Sequence, residues 1–155
     1  MAIPEDFERE ALYTPDAWFI DDVLELDAES GRVVVRVDTT ALGPLVAAQR
    51  AVGGHPKHVP GAVMIQLTGT LGQLQATYLK GLRPSEGWVG FGTLIKRARF
   101  VKLGKIGPPV LATATLLRAR QFRGSWHLTS EFEYVQHGET IYHSEQTATW
   151  FRQET

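Results

Sequence analysis

Residues 61–80 carry the one long helical pattern in this sequence, and it constrains the fold more than any other segment. At about 100° per residue, an apolar stripe runs along one side, formed by Val63, Leu67, Leu71, Leu74 and Tyr78. A second stripe of mostly small residues lies about opposite, formed by Ile65, Gly69, Gly72 and Ala76. A helix that is apolar on two sides is buried on two sides, so the pattern predicts a helix wrapped by other elements.

The glycines of the second stripe point the same way. Glycine in a helix interior costs about 1 kcal/mol relative to alanine. Because Gly69 and Gly72 lie about one turn apart, we expect another stretch of backbone to approach the helix closely there. Between the stripes runs a narrow polar line, formed by Gln66, Thr70, Gln73 and Thr77. Buried polar groups need partners, so this line favours a polar groove along the helix.

The remaining chain is dominated by the two-residue alternation of half-buried strands, as in residues 32–40. We expect strands near 17–27, 32–40, 88–102, 109–122, 125–137 and 140–152. Residues 41–60 are predicted to be mostly irregular, with one helical turn around 45–50. A hairpin, one long helix and four successive strands predict an α+β fold with a mixed but mainly antiparallel sheet of about six strands.

Composition excludes several classes of protein. The 155 residues are 43% hydrophobic and 21% charged, which predicts a single domain spanning residues 1–155. The chain has no cysteine, so disulfides, thiolate zinc sites and a cysteine nucleophile are excluded. The N-terminus is acidic and lacks the basic segment followed by an apolar segment that is typical of a secretory signal. Glutamines interrupt the most apolar stretch, residues 62–79, so it is not predicted to span a membrane. We therefore expect a soluble, cytoplasmic protein without a membrane span.

Positive charge is concentrated in one interval. No acidic residue lies between Glu86 and Glu131, although the net charge of the whole chain is −1. The interval holds half of the lysines and arginines: Lys96, Arg97, Arg99, Lys102, Lys105, Arg118, Arg120 and Arg123. Two interpretations stay open: a surface that attracts phosphates or an acidic partner protein, or a solvated strand face whose acidic residues come from elsewhere. Aromatic residues do not alternate with these charges as a nucleic-acid surface requires, so we expect no nucleic-acid binding.

Three segments, taken in order, resemble the FabZ-type 3-hydroxyacyl-acyl-carrier-protein dehydratases of the hotdog superfamily. Residues 18–37, WFIDDVLELDAESGRVVVRV, resemble the opening hairpin. Residues 53–66, GGHPKHVPGAVMIQ, resemble a degenerate form of the signature H-F-P-G-x-P-V-M-P-G-x-x-x-x-E. Residues 97–102, RARFVK, with the later Gly107-Pro108, are similar to the basic strand and its closing turn. The resemblance covers roughly residues 13–151.

This resemblance implies a hotdog fold in which a sheet wraps a long central helix and two copies pair as a homodimer or a higher even oligomer. It also implies a substrate carried on coenzyme A or on the phosphopantetheine of an acyl-carrier protein, with no other cofactor. The acyl chain would lie beside the helix. Pro60 would fix the entry to the helix, and the Gly61 amide, at the positive end of the helix dipole, would polarise the thioester carbonyl.

The sequence differs from the family at the family's catalytic positions. The family's glutamate position, five residues after Gly61, is occupied by Gln66, and an amide is no general acid or base near neutral pH. The family's histidine position falls near Ala51 or Val52. His55 and His58 stand nearby, and two interpretations stay open: one of them supplies a titratable group, because imidazole titrates near neutral pH, or both have a loop-stabilising or surface role. No further ligand is close in sequence, so we expect no metal.

Three functions remain open at this stage, and the resemblance favours the first of them. One is a dehydratase that uses His55 or His58 with Gln66 and the Gly61 amide. Another is a thioesterase in which water attacks the polarised carbonyl, and the third is a non-catalytic module that binds acyl chains or a carrier protein. In each case the expected substrate contacts are Pro60, Thr70, Gln73, Arg97, Arg99 and Lys102, the last three meeting the phosphate of coenzyme A or an acidic carrier.

Overall fold

The computed structural model describes residues 1–154, and it contains three α-helices and one six-stranded sheet. The helices are α1 (Phe7–Glu10), α2 (Pro44–Ala47) and α3 (Gly61–Leu74), and a π-helical turn, Gln75–Leu79, continues α3. The strands are β1 (Asp22–Asp27), β2 (Arg32–Val37), β3 (Trp88–Phe100), β4 (Val110–Phe122), β5 (Ser125–Gln136) and β6 (Glu139–Arg152). Short 3-10 turns lie at Pro15–Ala17, Thr39–Ala41 and Pro84–Glu86. No helix in this part of the chain is long and apolar enough to cross a membrane.

The sheet has the strand order β1-β2-β4-β5-β6-β3. Every neighbouring pair is antiparallel, so the expected mixed component is not found. Tight turns join β1 to β2, β4 to β5 and β5 to β6. Helix α3 lies between β2 and β3 in the chain, and β3 forms the edge of the sheet opposite β1. As a result β3, with 13 residues, is an edge strand along its whole length. The α+β layout and the central helix predicted from the sequence are confirmed.

Helix α3 lies on one face of the sheet and packs against β2, β4 and β3. Its buried side is the first apolar stripe, where Val63, Leu67 and Leu71 are at most 2% exposed. Small residues at the centre of the sheet, Ala112 and Ala114, are fully buried beneath it and let the helix sit close. Burying each large aliphatic side chain of this kind contributes about 1.5–3 kcal/mol.

The second stripe of α3 is open within the chain. A Cβ atom added at Gly69 or Gly72 would meet no heavy atom within 4 Å, and Ile65 is 38% exposed. Only Ala76, in the π-helical turn, is fully buried. The expected backbone contact at the glycines is therefore wrong for this chain by itself. The sheet covers only one side of the helix, and the glycine face lies next to the edge strand β3.

The segment before the sheet departs from the predicted first strand. The strand begins at Asp22 instead of residue 17, because Phe19 adopts a positive φ of 59° and residues 15–17 form a 3-10 turn. The side chain of Trp18 turns inward and is 7% exposed, and its ring lies 4.8 Å from that of Phe7. This packing uses the N-terminal segment to cover the C-terminal end of α3.

Hydrogen bonds between charged and hydroxyl groups join α1, with Asp6 just before it, to residues 78–85, which follow α3. Asp6 accepts hydrogen bonds from the Tyr78 hydroxyl at 2.7 Å and from Arg83 at 2.8 Å. The fully buried Glu10 accepts from the Ser85 N–H at 3.0 Å and the Ser85 hydroxyl at 2.7 Å. Burial opposes the charge on Glu10, but these bonds and the nearby Arg83 outweigh it, so its pKa lies below the ordinary value.

The hydrogen bonds that Asp6 accepts make the stability of the protein depend on pH. Its hydrogen bond from Tyr78, followed by that from Arg83, lowers the pKa of Asp6, so the stabilisation is present above the ordinary carboxyl pKa of about 4 and is lost as pH falls through the folded value. We predict that Asp6→Asn lowers the free energy of unfolding at neutral pH by on the order of 1 kcal/mol.

Denaturant unfolding at a series of pH values measures this prediction, with Asp16→Asn, an exposed acid in the same segment, as the control. The difference between wild type and Asp6→Asn should shrink as the pH drops below about 4. A difference that stays constant with pH would contradict the assignment.

Candidate functional site

A cavity of about 290 Å³ lies between the open face of α3 and the first half of β3. Helix α3 and the following turn contribute Gln66, Thr68, Gly69, Thr70, Gly72, Gln73 and Gln75. The sheet contributes Gly90, Phe91 and Gly92 from β3, with residues of β5 and β6 behind them. The N-terminal segment contributes Phe7, Leu12, Tyr13 and Trp18. The volume is at the lower end of the range found for small-molecule sites.

Glycines on both walls create this space. Gly69 and Gly72 on α3 and Gly92 on β3 have no heavy atom within 4 Å of an added Cβ, so each leaves room that a larger side chain would fill. Gly90 has a different role, because the indole of Trp150 lies directly over it and a Cβ there would enter the ring. The glycines that cost helix stability are therefore the ones that keep the cavity open.

The walls of the cavity are neutral. Among the residues that line it in the described chain there is no aspartate, glutamate, histidine, lysine or arginine. The polar groups are amides and hydroxyls, several of which already have partners: Thr68 donates to Gln146 Oε1 at 3.1 Å, and Ser130 donates to Gln75 Oε1 at 2.7 Å. Such a site suits a mainly apolar, uncharged group that offers one or two hydrogen-bonding atoms.

Gln66 and Thr70 offer free polar groups to this cavity. They lie one turn apart on α3, and both line the cavity. Gln66 is half-buried and Thr70 is 5% exposed. Within residues 1–154 neither the Gln66 amide nor the Thr70 hydroxyl makes a side-chain hydrogen bond, whereas the neighbouring Thr68 makes two. Gln66, predicted as a catalytic residue, and Thr70, predicted as a substrate contact, therefore both line the cavity.

Gln73 lines the same cavity but its amide is already committed. Its Oε1 accepts from the Leu12 N–H at 3.2 Å, and its Nε2 donates to the Glu10 carbonyl. The side chain is 6% exposed. Gln73 thus holds the N-terminal segment against the helix, which sequence reasoning did not anticipate because the two segments are about 60 residues apart.

The start of α3 lies outside the cavity. The first helical hydrogen bond runs from the Met64 N–H to the Pro60 carbonyl at 3.1 Å. The N–H groups of the first turn, before Met64, therefore have no acceptor within the helix. The ring of Phe100 lies beside Gly61, with its nearest atom 3.1 Å from where a Cβ would stand. The predicted carbonyl site at Gly61 is therefore occupied in part by this ring, which is itself 52% exposed on the edge strand.

The loop histidines lie apart from the cavity. The rings of His55 and His58 are 5.0 Å apart, and each has Nδ1 close to the Pro56 carbonyl, at 3.0 and 3.2 Å. Gln49 fixes the backbone of His58 by accepting from its N–H and donating to its carbonyl. Neither ring lines the cavity in the protomer. The described residues contain no group of three or more metal-ligating side chains.

The basic residues of β3 and of the chain just after it are of two kinds. Lys102 pairs with Glu139 at 2.6 Å and Lys96 with Glu145 at 3.5 Å, as the solvated-face interpretation predicts. The hydrogen bond from Lys102 lowers the pKa of Glu139. Arg97 and Arg99 lie on the face of the sheet away from α3, both exposed, and form no ion pair within the part of the chain that the structure describes. Among the basic residues of β3, these two arginines are therefore the ones available to an anionic ligand.

Comparisons with known proteins identify the fold. No protein-family model and no curated protein matches the sequence. Among solved structures, the dehydratase heterocomplex ApeI:P from Xenorhabdus doucetiae matches with a TM-score of 0.70 at 13% identity, covering 100% of this chain and 94% of that one. A thioesterase from Haemophilus influenzae matches with a TM-score of 0.65 at 16% identity, covering 98% and 92%.

A third solved structure, a hypothetical thioesterase with coenzyme A from Streptococcus pneumoniae, matches with a TM-score of 0.62 at 16% identity, covering 97% of this chain and 98% of that one. Coverage of almost the whole chain by these thioesterase and dehydratase structures, together with the packing of α3 on one face of the sheet and the strand order, shows that the chain has the hotdog fold.

The open space at Gly92 provides a direct test of the cavity. We predict that Gly92→Val places a side chain in the cavity and lowers the affinity for an apolar fluorescent probe by about tenfold. The free energy of unfolding should change by less than about 1 kcal/mol, because nothing lies within 4 Å of the new Cβ.

Leu117→Val, at a 49% exposed position on β4, is the matched control and should leave probe binding unchanged. Probe titration and denaturant unfolding of the same samples separate the two effects. Unchanged probe affinity in Gly92→Val would show that the cavity is not the binding site.

Proposed function

We propose that this protein binds acyl thioesters, with the acyl chain in the cavity along the glycine face of α3. The observation that carries the proposal is the cavity itself: an apolar, uncharged space beside the central helix of a hotdog fold, with Gln66 and Thr70 presenting free polar groups to it. An uncharged acyl chain with a carbonyl at one end matches walls of this composition.

The N-terminus of α3 sets the direction of the acyl group. The unpaired amides and the positive end of the helix dipole lie there, so the carbonyl oxygen is favoured at the start of α3 and the tail points toward the C-terminal end of the helix. Gln66 stands between the two ends of this path. For the Gly61 amide to reach the carbonyl, the ring of Phe100, which lies beside Gly61 and is half-exposed, would have to rotate away.

We further propose that the acyl group is carried on coenzyme A or on the phosphopantetheine of a carrier protein. A hotdog structure of 16% identity contains coenzyme A, which supports this class of carrier. Arg97 and Arg99 are the unpaired cations nearest the open edge of the sheet, and a phosphate or an acidic carrier surface would meet them. Lys102, already paired with Glu139, contributes less.

Hydrolysis is the reaction that the residues at the cavity support best. Water attacks the carbonyl carbon, the carbon–sulfur bond breaks, and the products are a carboxylic acid and a free thiol. Thioesters are already activated, so polarisation of the carbonyl and an amide that orients the water are the main requirements. Gln66 is free to supply the second. Thioesterases of the same fold support this assignment.

Dehydration of a 3-hydroxyacyl thioester is the second candidate, favoured by the FabZ-like motif and by a dehydratase structure covering the whole chain. It requires a base that removes the α proton and an acid that helps the hydroxyl leave. No side chain lining the cavity in the described chain titrates near neutral pH. His55 or His58 would have to supply this chemistry, from a loop that lies outside the protomer's cavity.

We also propose that two copies pair along β3. An unpaired edge strand of this length exposes backbone hydrogen-bonding groups and is a template for pairing. Large apolar side chains along it and just beyond it are about half exposed: Phe91, Leu94, Ile95, Phe100 and Val101. Pairing there would cover these side chains and bring a second copy to the open face of α3, close to the cavity mouth.

A product assay separates the candidate reactions. Free thiol and enoyl product are followed separately with saturated and 3-hydroxyacyl thioesters, using wild type, Gln66→Leu, and His55→Gln and His58→Gln. We predict thiol release by wild type, reduced by about 100-fold in Gln66→Leu, because a positioned polar group is lost. The two histidine variants should retain activity.

Other outcomes have defined meanings. Enoyl product that disappears in one histidine variant would favour the dehydratase. Binding with neither product would identify a non-catalytic acyl-binding module. Absence of binding by every acyl thioester would overturn the proposed function.

Carrier recognition predicts a dependence on salt. We expect Arg99→Ala to weaken the binding of acyl-coenzyme A at low ionic strength, and the deficit to fade as salt screens the exposed charge. Lys102→Ala is the matched control and should have the smaller effect, because Lys102 is paired with Glu139. Calorimetric titration at two salt concentrations measures both, and indifference to Arg99→Ala and to salt would remove the arginine from the site.

A further inference from the structure

The N-terminal segment, residues 4–21, forms one wall of the cavity although it precedes the hotdog sheet. Phe7 and Trp18 are almost fully buried and provide the inner part of this wall. Leu12 and Tyr13 provide its outer part, and both are 56% exposed. The wall therefore has a fixed, buried base and a thin rim with solvent behind it.

Two hydrogen bonds fix the position of this rim. The Leu12 N–H donates to Gln73 Oε1 at 3.2 Å, and the Tyr13 carbonyl accepts from Trp18 Nε1 at 2.7 Å. Gln73 also donates to the Glu10 carbonyl, so it holds the chain where it leaves α1. Because Gln73 is 6% exposed, its two bonds to the N-terminal segment are at least partly shielded from water, and they hold the rim against α3.

The rim lies at the far end of the path proposed for the acyl group. Gln73 follows Gln66 by seven residues, or about 10 Å along the helix axis. With the carbonyl toward the start of α3, the tail of the acyl chain runs toward Gln73 and meets Leu12 and Tyr13. A group at that place contacts only acyl chains long enough to reach it.

We infer that Leu12 and Tyr13, positioned by Gln73, determine the length of the acyl group that the cavity accepts. The inference rests on the proposed function and goes beyond it by assigning chain-length selection to a segment outside the hotdog sheet. Leu12 and Tyr13 act by direct contact. Gln73 is a positioning residue that acts through them, since its amide accepts from the Leu12 N–H and donates to the Glu10 carbonyl.

Truncating the rim should shift the preference toward longer chains. Solvent lies behind Leu12 and Tyr13, so Leu12→Ala and Tyr13→Ala open an exit from the cavity and do not disturb a packed core. A contact of one or two methylenes in an apolar pocket is worth about tenfold in affinity. We expect the ratio of the dissociation constants for hexadecanoyl- and octanoyl-coenzyme A to fall by about tenfold in Tyr13→Ala.

The experiment measures the dissociation constants of straight-chain acyl-coenzyme A thioesters from butanoyl to hexadecanoyl for each variant. Leu117→Ala, at a similarly exposed position on β4, is the control and should keep the wild-type profile. Gln73→Ala should shift the profile in the same direction, and combining it with Tyr13→Ala should add little, because both changes act on the same wall. If Gln73→Ala does not fold, the two exposed variants still decide the result.

The outcomes separate this inference from the function on which it rests. A wild type that binds the series, with an unchanged length profile in Leu12→Ala and Tyr13→Ala, overturns the inference and leaves the proposed function standing. A wild type that binds no member of the series overturns both. A profile shifted toward longer chains in the rim variants and not in Leu117→Ala supports the inference.

Discussion

The packing of α3 on the sheet through one side only is the constraint from which the other features follow. Val63, Leu67 and Leu71 bury one stripe against the small residues of β4. On the opposite stripe, Cβ atoms added at Gly69 and Gly72 would meet no heavy atom of the described residues within 4 Å. Because β3 returns to the sheet edge beside that stripe, an apolar space remains between helix and strand. The hotdog architecture thus positions the cavity, and the glycines determine its width.

The described residues that line the cavity include no aspartate, glutamate, histidine, lysine or arginine, and this limits the chemistry that the cavity walls can perform. Amides and hydroxyls can orient a water molecule or stabilise a polarised carbonyl, but they do not move protons at neutral pH. The acid and base positions of the dehydratases that the sequence resembles are filled here by Gln66 and by an uncharged loop stretch. A thioester is already activated, so its hydrolysis requires less of the surrounding side chains. Thioesters are therefore the substrate class that suits a cavity lined by amides and hydroxyls.

The sequence predicted the elements better than the spaces between them. Alternation placed β2 to β6 within a few residues, and the Pro60–Gly61 pair placed the start of α3, because both signals are local. Three of the four residues on the polar line of the helix, Gln66, Thr70 and Gln73, line the cavity, whereas Thr77 is buried away from it.

Contacts between distant segments were not predictable in this way. Nothing near Gln73 indicates that it holds Leu12, and a helical stripe shows that a face can be covered without showing whether the same chain covers it. The pairing of Lys102 with Glu139 and the ring of Phe100 beside Gly61 are of the same kind, since each depends on the register of β3 in the sheet.

The most direct test of the account is a crystal structure with a non-hydrolysable thioether analogue of an acyl-coenzyme A. The account predicts that the acyl chain lies between α3 and β3 against Gly69 and Gly72, with its sulfur end toward the start of the helix and its tail toward Tyr13. An acyl chain bound elsewhere, or a glycine face filled by protein side chains with the analogue excluded, would contradict it.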